Sequence, residues 1–215
     1  PDWYMKHFDF IDLGAKHGSM RNYARDSFNG RSGLHFELNP DCIAEMEKDD
    51  IPCVQADVTN LDLPENCVDF VISTHTIEHL PSREHVKKMM ESSKKAAKDF
   101  IYITWPSFDS EDYLKENGFL KHFSTDISHT YHITSTEFAE ILDELNLEYV
   151  MKGWPVHPDS NHPTINWLDE SRERVDIHFD RTVCEENVCL IKIRDSVKYQ
   201  DALEFLHSFI GWVEL

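Results

Sequence analysis

Through the first 150 residues, short runs of strand-forming residues alternate with segments whose apolar residues recur at helical spacing. Strand, helix and strand in repeated succession bury their apolar faces best as a parallel sheet with crossover helices on both sides. Five such units are predicted, with strands near Phe8 to Leu13, Leu34 to Leu38, Cys53 to Ala56, Val68 to Ser73 and Phe100 to Thr104, the last stopped by Trp105 and Pro106. The first helix starts near Ser19. Asn39 and Pro40 suit the N-cap and first residue of the second, with Ile43 and Met46 facing inward. Val86, Met89, Met90, Ser93 and Ala97 make the inward stripe of the third. Thr134 and Glu137 form a capping box ahead of Phe138, Ile141, Leu142 and Leu145. A strand near Glu148 to Gly153, another near Val188 to Ile193 and a helix from about Lys198 to Ile210 complete the pattern.

A chain of 215 residues that is 40% hydrophobic suits one domain over 1–215. The stretch from Trp154 to Glu186 is too long for an ordinary connection and reads as an insertion between the last two strands. With 21 basic against 40 acidic side chains, the formal charge of -19 repels a phosphate backbone, so small molecules, and after them proteins, are the expected partners and nucleic acid is not. The five cysteines, Cys42, Cys53, Cys67, Cys184 and Cys189, are odd in number and without metal-binding spacing, which fits a reducing cytoplasm. The opening residues lack the features of a signal peptide and no apolar run approaches membrane-spanning length, so a soluble protein is expected, without a membrane partner. The sequence does not set the oligomeric state.

The first strand ends in Asp12, runs into Gly14 and Gly18 and then into a helix. Such a turn lets backbone approach a ligand closely and aims helix N-terminal amides at an anionic group, although glycines here could also serve only a tight turn. Glu37 closes the second strand, 23 residues after Gly14, where an acid can accept both hydroxyls of a ribose. Asp57 follows the third strand, placed to receive a hydrogen bond from an adenine amino group. Acids at three successive strand ends are harder to ascribe to solvated loops than any one alone.

These residues, with Ala56 and the run from Val68 to Leu80, resemble the class I S-adenosylmethionine-dependent methyltransferases, especially a small-molecule branch near the ubiquinone and menaquinone biosynthesis enzymes. The resemblance runs from about Phe8 to Val150. It implies a doubly wound α/β, mostly parallel seven-stranded sheet, Rossmann-like, in the order 3-2-1-4-5-7-6 with the last strand antiparallel. It implies S-adenosylmethionine as cofactor, with Asp12, Gly14 and Gly18 around the methionine moiety, Glu37 on the ribose, Asp57 at the adenine, and Ser73, Thr74 and His75 lining the cofactor. Lys16 stands where the family usually has its middle glycine, so the turn opens outward there or holds the cofactor's carboxyl end differently. The family's helical cap before strand one is nearly missing, which assigns the acceptor-binding walls to later segments. An NAD(P)-dependent oxidoreductase would use a similar strand, turn and acid, but its G-x-G-x-x-G fingerprint needs glycine at Lys16 and Ser19. A catalytically inactive nucleoside-binding or protein-interaction member of the fold is the other alternative.

Methyl transfer to a small-molecule acceptor is mainly a matter of positioning, with a general base needed only where the acceptor must lose a proton. His75, His129 and His132 are the candidates for that work, in the turn after strand four and the segment after strand five. His79 fits better as an anchor of the following helix, and His129 and His132 could instead tie their loop to the sheet. His157, Asp159 and His162 share a polar loop, yet no motif fixes a ligand geometry there, and no metal is assigned.

Overall fold

In a computed structural model describing residues 7–169, 171 and 173–215, the chain winds around one eight-stranded sheet. Residues 1–6, on which the reading of the N-terminus partly rests, and Glu170 and Arg172 of the expected insertion lie outside those described. The first half alternates as anticipated: β1 (Phe10–Leu13), α1 (Met20–Phe28), β2 (Gly33–Glu37), α2 (Pro40–Lys48), β3 (Cys53–Gln55), β4 (Val68–Thr74), α3 (Arg83–Ala96) and β5 (Ala97–Pro106). After these come α4 (Glu111–Glu116), β6 (Phe119–Lys121), α5 (Ser135–Glu144), β7 (Glu148–Val156), β8 (Ile165–Trp167), β9 (Cys184–Lys192), α6 (Val197–Ser208) and β10 (Val213–Glu214).

The sheet order is β10-β7-β9-β5-β4-β1-β2-β3. Neighbours β3, β2, β1, β4 and β5 are parallel, and β9 runs antiparallel between β5 and β7. This is the expected order with one strand more. The extra one, β10, is two residues long and pairs with Gly153 and Lys152 of β7, too short to register as an alternating pattern. Strand β5 begins at Ala97, which takes an extended conformation at the end of α3 instead of continuing its inward stripe.

Side chains alternate across the central strands, so each strand serves two cores. On one face Phe10, Phe70 and Phe100 lie in register on β1, β4 and β5, and their rings stack in sequence with centroids 5.3 and 4.8 Å apart. Phe28 of α1 packs edge-on against the last two rings, and Tyr199, Ala202 and Leu206 of α6 join this core. On the other face Ile11, Val71, Ile101 and Ile191 meet Val86, Met89 and Met90 of α3 and Phe138, Ile141 and Leu142 of α5. The two helices of that face are tied by Glu144, which accepts from Arg83 at 2.8 Å and Lys87 at 2.7 Å.

Local chemistry sets the helix starts. The Asn39 side chain accepts from the Asp41 amide ahead of Pro40, and Thr134 and Glu137 make the reciprocal capping box. Between β5 and α5 the chain forms α4 and β6, which were not anticipated. Strand β6 pairs antiparallel with β8 over Leu114, Phe119, Ile165 and Val183, a small core beside the main sheet. Among the described residues no helix is long and apolar enough to cross a membrane.

Candidate active site

From β1 the chain moves outward through β2 to β3, then crosses back to lay β4 on the other side of β1. Loops leaving the carboxyl ends of β1 and β4 therefore diverge, and a crevice opens between them, which is where open α/β sheets bind ligands. A cavity of about 710 Å³ lies there, lined by Gly14 and Lys16 after β1, Glu37 to Pro40 after β2, Asp57 and Val58 after β3, and His75, Thr76, His79 and Leu80 after β4.

The turn from Gly14 to Gly18 uses three left-handed residues, Gly14 at φ +73°, Lys16 at φ 50° and Gly18 at φ +67°. The first is set by space: a Cβ on Gly14 would lie 2.3 Å from Thr76 Oγ1. Lys16 keeps a conformation suited to glycine and turns its amide onto Glu37 Oε2 at 2.7 Å. The turn thus stays closed, at the roughly 1–2 kcal/mol that a left-handed non-glycine residue costs. Glu37 Oε1 accepts from the amides of Leu38 at 2.8 Å and Asn39 at 2.9 Å, so one carboxylate aligns the turn after β1 and the entry to α2. Asp57 Oδ1 accepts from the hydroxyl of Thr59 at 2.7 Å and its amide at 2.8 Å, and these bonds hold the carboxyl below its ordinary range.

Of the eight residues anticipated around a cofactor, Gly14, Glu37, Asp57 and His75 line this cavity, while Asp12, Gly18, Ser73 and Thr74 do not. Asp12 is buried, with Oδ2 3.0 Å from Nδ1 of His35, its in-register neighbour on β2. Burial pushes its carboxyl above the ordinary value, against the pull of His35. Ser73 and Thr76 both donate to the Leu13 carbonyl, at 2.8 and 3.1 Å, and join the ends of β4 and β1 under the cavity floor. Leu38, 62% exposed, and the buried Val58 and Leu80 supply apolar lining that sequence reasoning missed. The signal available for Leu38 was its place directly after the acid that ends β2.

A second cavity of about 350 Å³ shares His75 with the first and is lined further by Pro106, His122, Phe123, Asp126, His129, Glu185 and Glu186. His75 Nε2 lies 3.0 Å from Glu186 Oε1 and its Nδ1 3.5 Å from Glu78 Oε1. Its pairing with Glu186 and then the nearby carboxylate of Glu78 raise its pKa to about 10, so at neutral pH it is an imidazolium and holds a proton instead of accepting one. His129 donates through Nδ1 to the Phe123 carbonyl at 2.8 Å and lines the second cavity. His132 lines neither cavity; its ring stacks on Phe108 with centroids 4.3 Å apart and its Nδ1 lies 3.1 Å from Glu111. His79 anchors the loop after β6 instead of its own helix, with Nδ1 donating to the Ser128 carbonyl at 2.9 Å.

Within the stretch from Trp154 to Glu186, Glu185 and Glu186 reach the second cavity, and both lie on β9, which starts four residues earlier than the pattern indicated. Behind them His157 Nε2 lies 2.7 Å from Glu185 Oε2, and the Thr164 hydroxyl donates to the same oxygen at 2.9 Å.

Residues 11–99 match the family described as methyltransferase domain, and the sheet order and crevice are those of the class I fold. The matched segment and the fold together support an S-adenosylmethionine-dependent methyltransferase. Among solved structures, a SAM-dependent methyltransferase from Archaeoglobus fulgidus superposes with a TM-score of 0.61 at 17% identity, covering 88% of this chain and 89% of that one. One from Methanosarcina mazei gives 0.57 at 12% identity over 89% and 96%. Magnesium protoporphyrin IX methyltransferase from Synechocystis, solved with bound SAH, gives 0.52 at 13% identity over 87% and 75%. At such identities the likeness is one of fold. No curated protein matches the sequence significantly.

Proposed function

We propose that the larger cavity holds S-adenosylmethionine and the smaller one a small-molecule acceptor, with the methyl group passing between them beside His75. The observation that carries this reading is the shared wall: two cavities of about 710 and 350 Å³ meet at one side chain at the switch point of the sheet. The Gly14 turn brings backbone to the methionine end. Glu37 faces the ribose, and Asp57 the adenine amino group, with Leu38, Val58 and Leu80 giving the base an apolar seat. The acceptor's nucleophile forms its bond to the methyl carbon as the carbon–sulfur bond breaks, leaving the demethylated cofactor. Chemistry of this kind asks the protein chiefly for alignment. The net charge of -19 and the three carboxylates of the second cavity, Asp126, Glu185 and Glu186, favour a neutral or cationic small acceptor over nucleic acid.

A thermal-shift panel of S-adenosylmethionine, its demethylated product, NAD and NADP tests the reading. The first two should raise the melting temperature and the nicotinamide cofactors should not, because only a ligand of the folded state stabilises it. A shift with NAD alone would overturn the assignment. Glu37→Ala should weaken cofactor binding by about 1.5–3 kcal/mol, roughly ten- to 150-fold, as expected for lost hydrogen bonds to a charged group. Because three backbone amides also lose their acceptor, a modest fall in melting temperature should accompany the effect. Asp57→Ala should weaken binding less. Calorimetric titration of both variants is the check, and unchanged affinity in Glu37→Ala would remove that residue from the site.

A further inference from the structure

We propose that Glu78, His79 and His129 form a binding site for a first-row divalent transition metal ion at the junction of the two cavities. Glu78 is fully buried, yet neither of its carboxylate oxygens accepts a hydrogen bond. A buried carboxylate left in that condition is costly, and a cation is the most direct remedy. The nearest side chains do not supply one fully: the His75 ring is drawn to Glu186 through Nε2 at 3.0 Å and leaves its Nδ1 3.5 Å from Glu78, and His79 Nε2 stands 3.9 Å away.

The two other members are held as ligands are held. A carbonyl can only accept, so the bonds from His79 Nδ1 to Ser128 and from His129 Nδ1 to Phe123 place the ring hydrogen on Nδ1 in both. When these imidazoles are neutral, each Nε2 carries a free lone pair. Fixing the tautomer through a backbone carbonyl is how metal-bound histidines are usually oriented.

One ligand atom from each of Glu78, His79 and His129 lies within 4.8 Å of the others. Ligands about 2.1 Å from a common ion can be at most about 4.2 Å apart, so closing the cage takes a shift of roughly half an ångström. The chain supports such a cage from both sides. Thr130 donates to the carbonyls of His79 and Leu80 at 3.1 and 3.0 Å, and the Tyr131 amide donates to the Glu78 carbonyl at 3.1 Å, stitching the loop of His129 onto the turn of Glu78. Two imidazoles with one carboxylate suit Mn²⁺, Fe²⁺, Co²⁺ or Zn²⁺ and leave coordination positions open. His79 lines the cofactor cavity and His129 the second cavity, so an ion between them borders both. That placement beside the methyl donor rests on the methyltransferase reading; binding of the ion does not.

The test uses the full chain, stripped with chelator and titrated with Co²⁺ by calorimetry and visible absorption. One ion per chain should bind with ligand-field bands, and Glu78→Gln and His129→Ala should each raise the Kd at least about tenfold while keeping the wild-type circular dichroism. His162→Ala serves as comparator, because His157, His162 and Glu185 form a second cluster of potential ligands. Absence of stoichiometric uptake, uptake indifferent to Glu78→Gln and His129→Ala, or uptake lost only in His162→Ala would each overturn the assignment. With Mn²⁺ in place, the S-methyl proton resonance of bound S-adenosylmethionine should broaden strongly. Binding of both without broadening would remove the ion from the methyl donor, and metal uptake without cofactor binding would overturn the methyltransferase reading and leave the metal site standing.

Discussion

A Gly14→Ala variant is expected to lose about 2–4 kcal/mol of stability and at least about tenfold in cofactor affinity, since it combines left-handed strain with overpacking. Gly14 sits at φ +73°, where an L side chain is strained even in open space, and the space is not open. An added Cβ would stand 2.3 Å from Oγ1, 2.5 Å from Cγ2 and 2.9 Å from Cβ of Thr76. Thr76 has little freedom to retreat, because it is buried and its hydroxyl bonds the carbonyls of Leu13 at 3.1 Å and Thr74 at 3.2 Å. Relief must come from parting the ends of β1 and β4, which is the opening of the crevice itself. Combining Gly14→Ala with Thr76→Ala removes the two shortest contacts and leaves the backbone strain, so it should restore part of both losses. Urea denaturation and calorimetric titration of the three variants measure this. Wild-type stability in Gly14→Ala would show that the turn has slack its geometry does not indicate.

The parts of this molecule that could be read in advance are those where one residue type answers one backbone need. Gly14 answers a left-handed turn against Thr76, Asn39 with Pro40 a helix start, and Glu37 a strand end whose neighbours offer free amides. Strands β6, β8 and β10, of three, three and two residues, gave too few alternations to register. Lys16 was legible as a departure, but its consequence was not. Only the structure shows its amide drawn onto Glu37, which offsets the cost of a side chain at positive φ.

Glu78 was not legible at all. In sequence it is an acid in a polar turn, and such residues are mostly solvated. It is buried because the loop carrying Thr130 and Tyr131, some 50 residues later, folds over it, a contact that no local pattern encodes. The same contact sets His129 beside His79, with ring centroids 4.8 Å apart. His132 shows the reverse limit: its position after strand five suggested chemistry, whereas its ring is spent on Phe108 and its nitrogen on Glu111.

The other large effect belongs under the site floor, where His35→Ala should cost about 3–5 kcal/mol, the usual consequence of stranding a buried charge. His35 and Asp12 are 0% and 1% exposed and face each other across β2 and β1, with Nδ1 3.0 Å from Oδ2. Asp12 Oδ1 already lacks a hydrogen-bond partner, so removing His35 leaves the whole carboxylate unsatisfied. The dependence on pH follows in sign. Burial raises the Asp12 pKa in the fold above its ordinary 3.8, while His35 pulls it down and Glu37 adds a smaller push upward. A carboxyl that binds its proton more tightly folded than unfolded contributes stability below its unfolded pKa and loses that contribution as pH rises through the folded value. Without His35 the folded value climbs further, so the deficit of His35→Ala should be largest at neutral pH and shrink as the solution is acidified and Asp12 takes up its proton. The double variant Asp12→Leu, His35→Ala should then cost less at neutral pH than His35→Ala alone, since no charge remains to be stranded, although the smaller side chain still leaves a cavity. Urea midpoints at neutral and mildly acid pH for wild type, single and double variants decide it. A deficit that does not change with pH would show that His35 stabilises the floor through its bulk and not through the charge of Asp12.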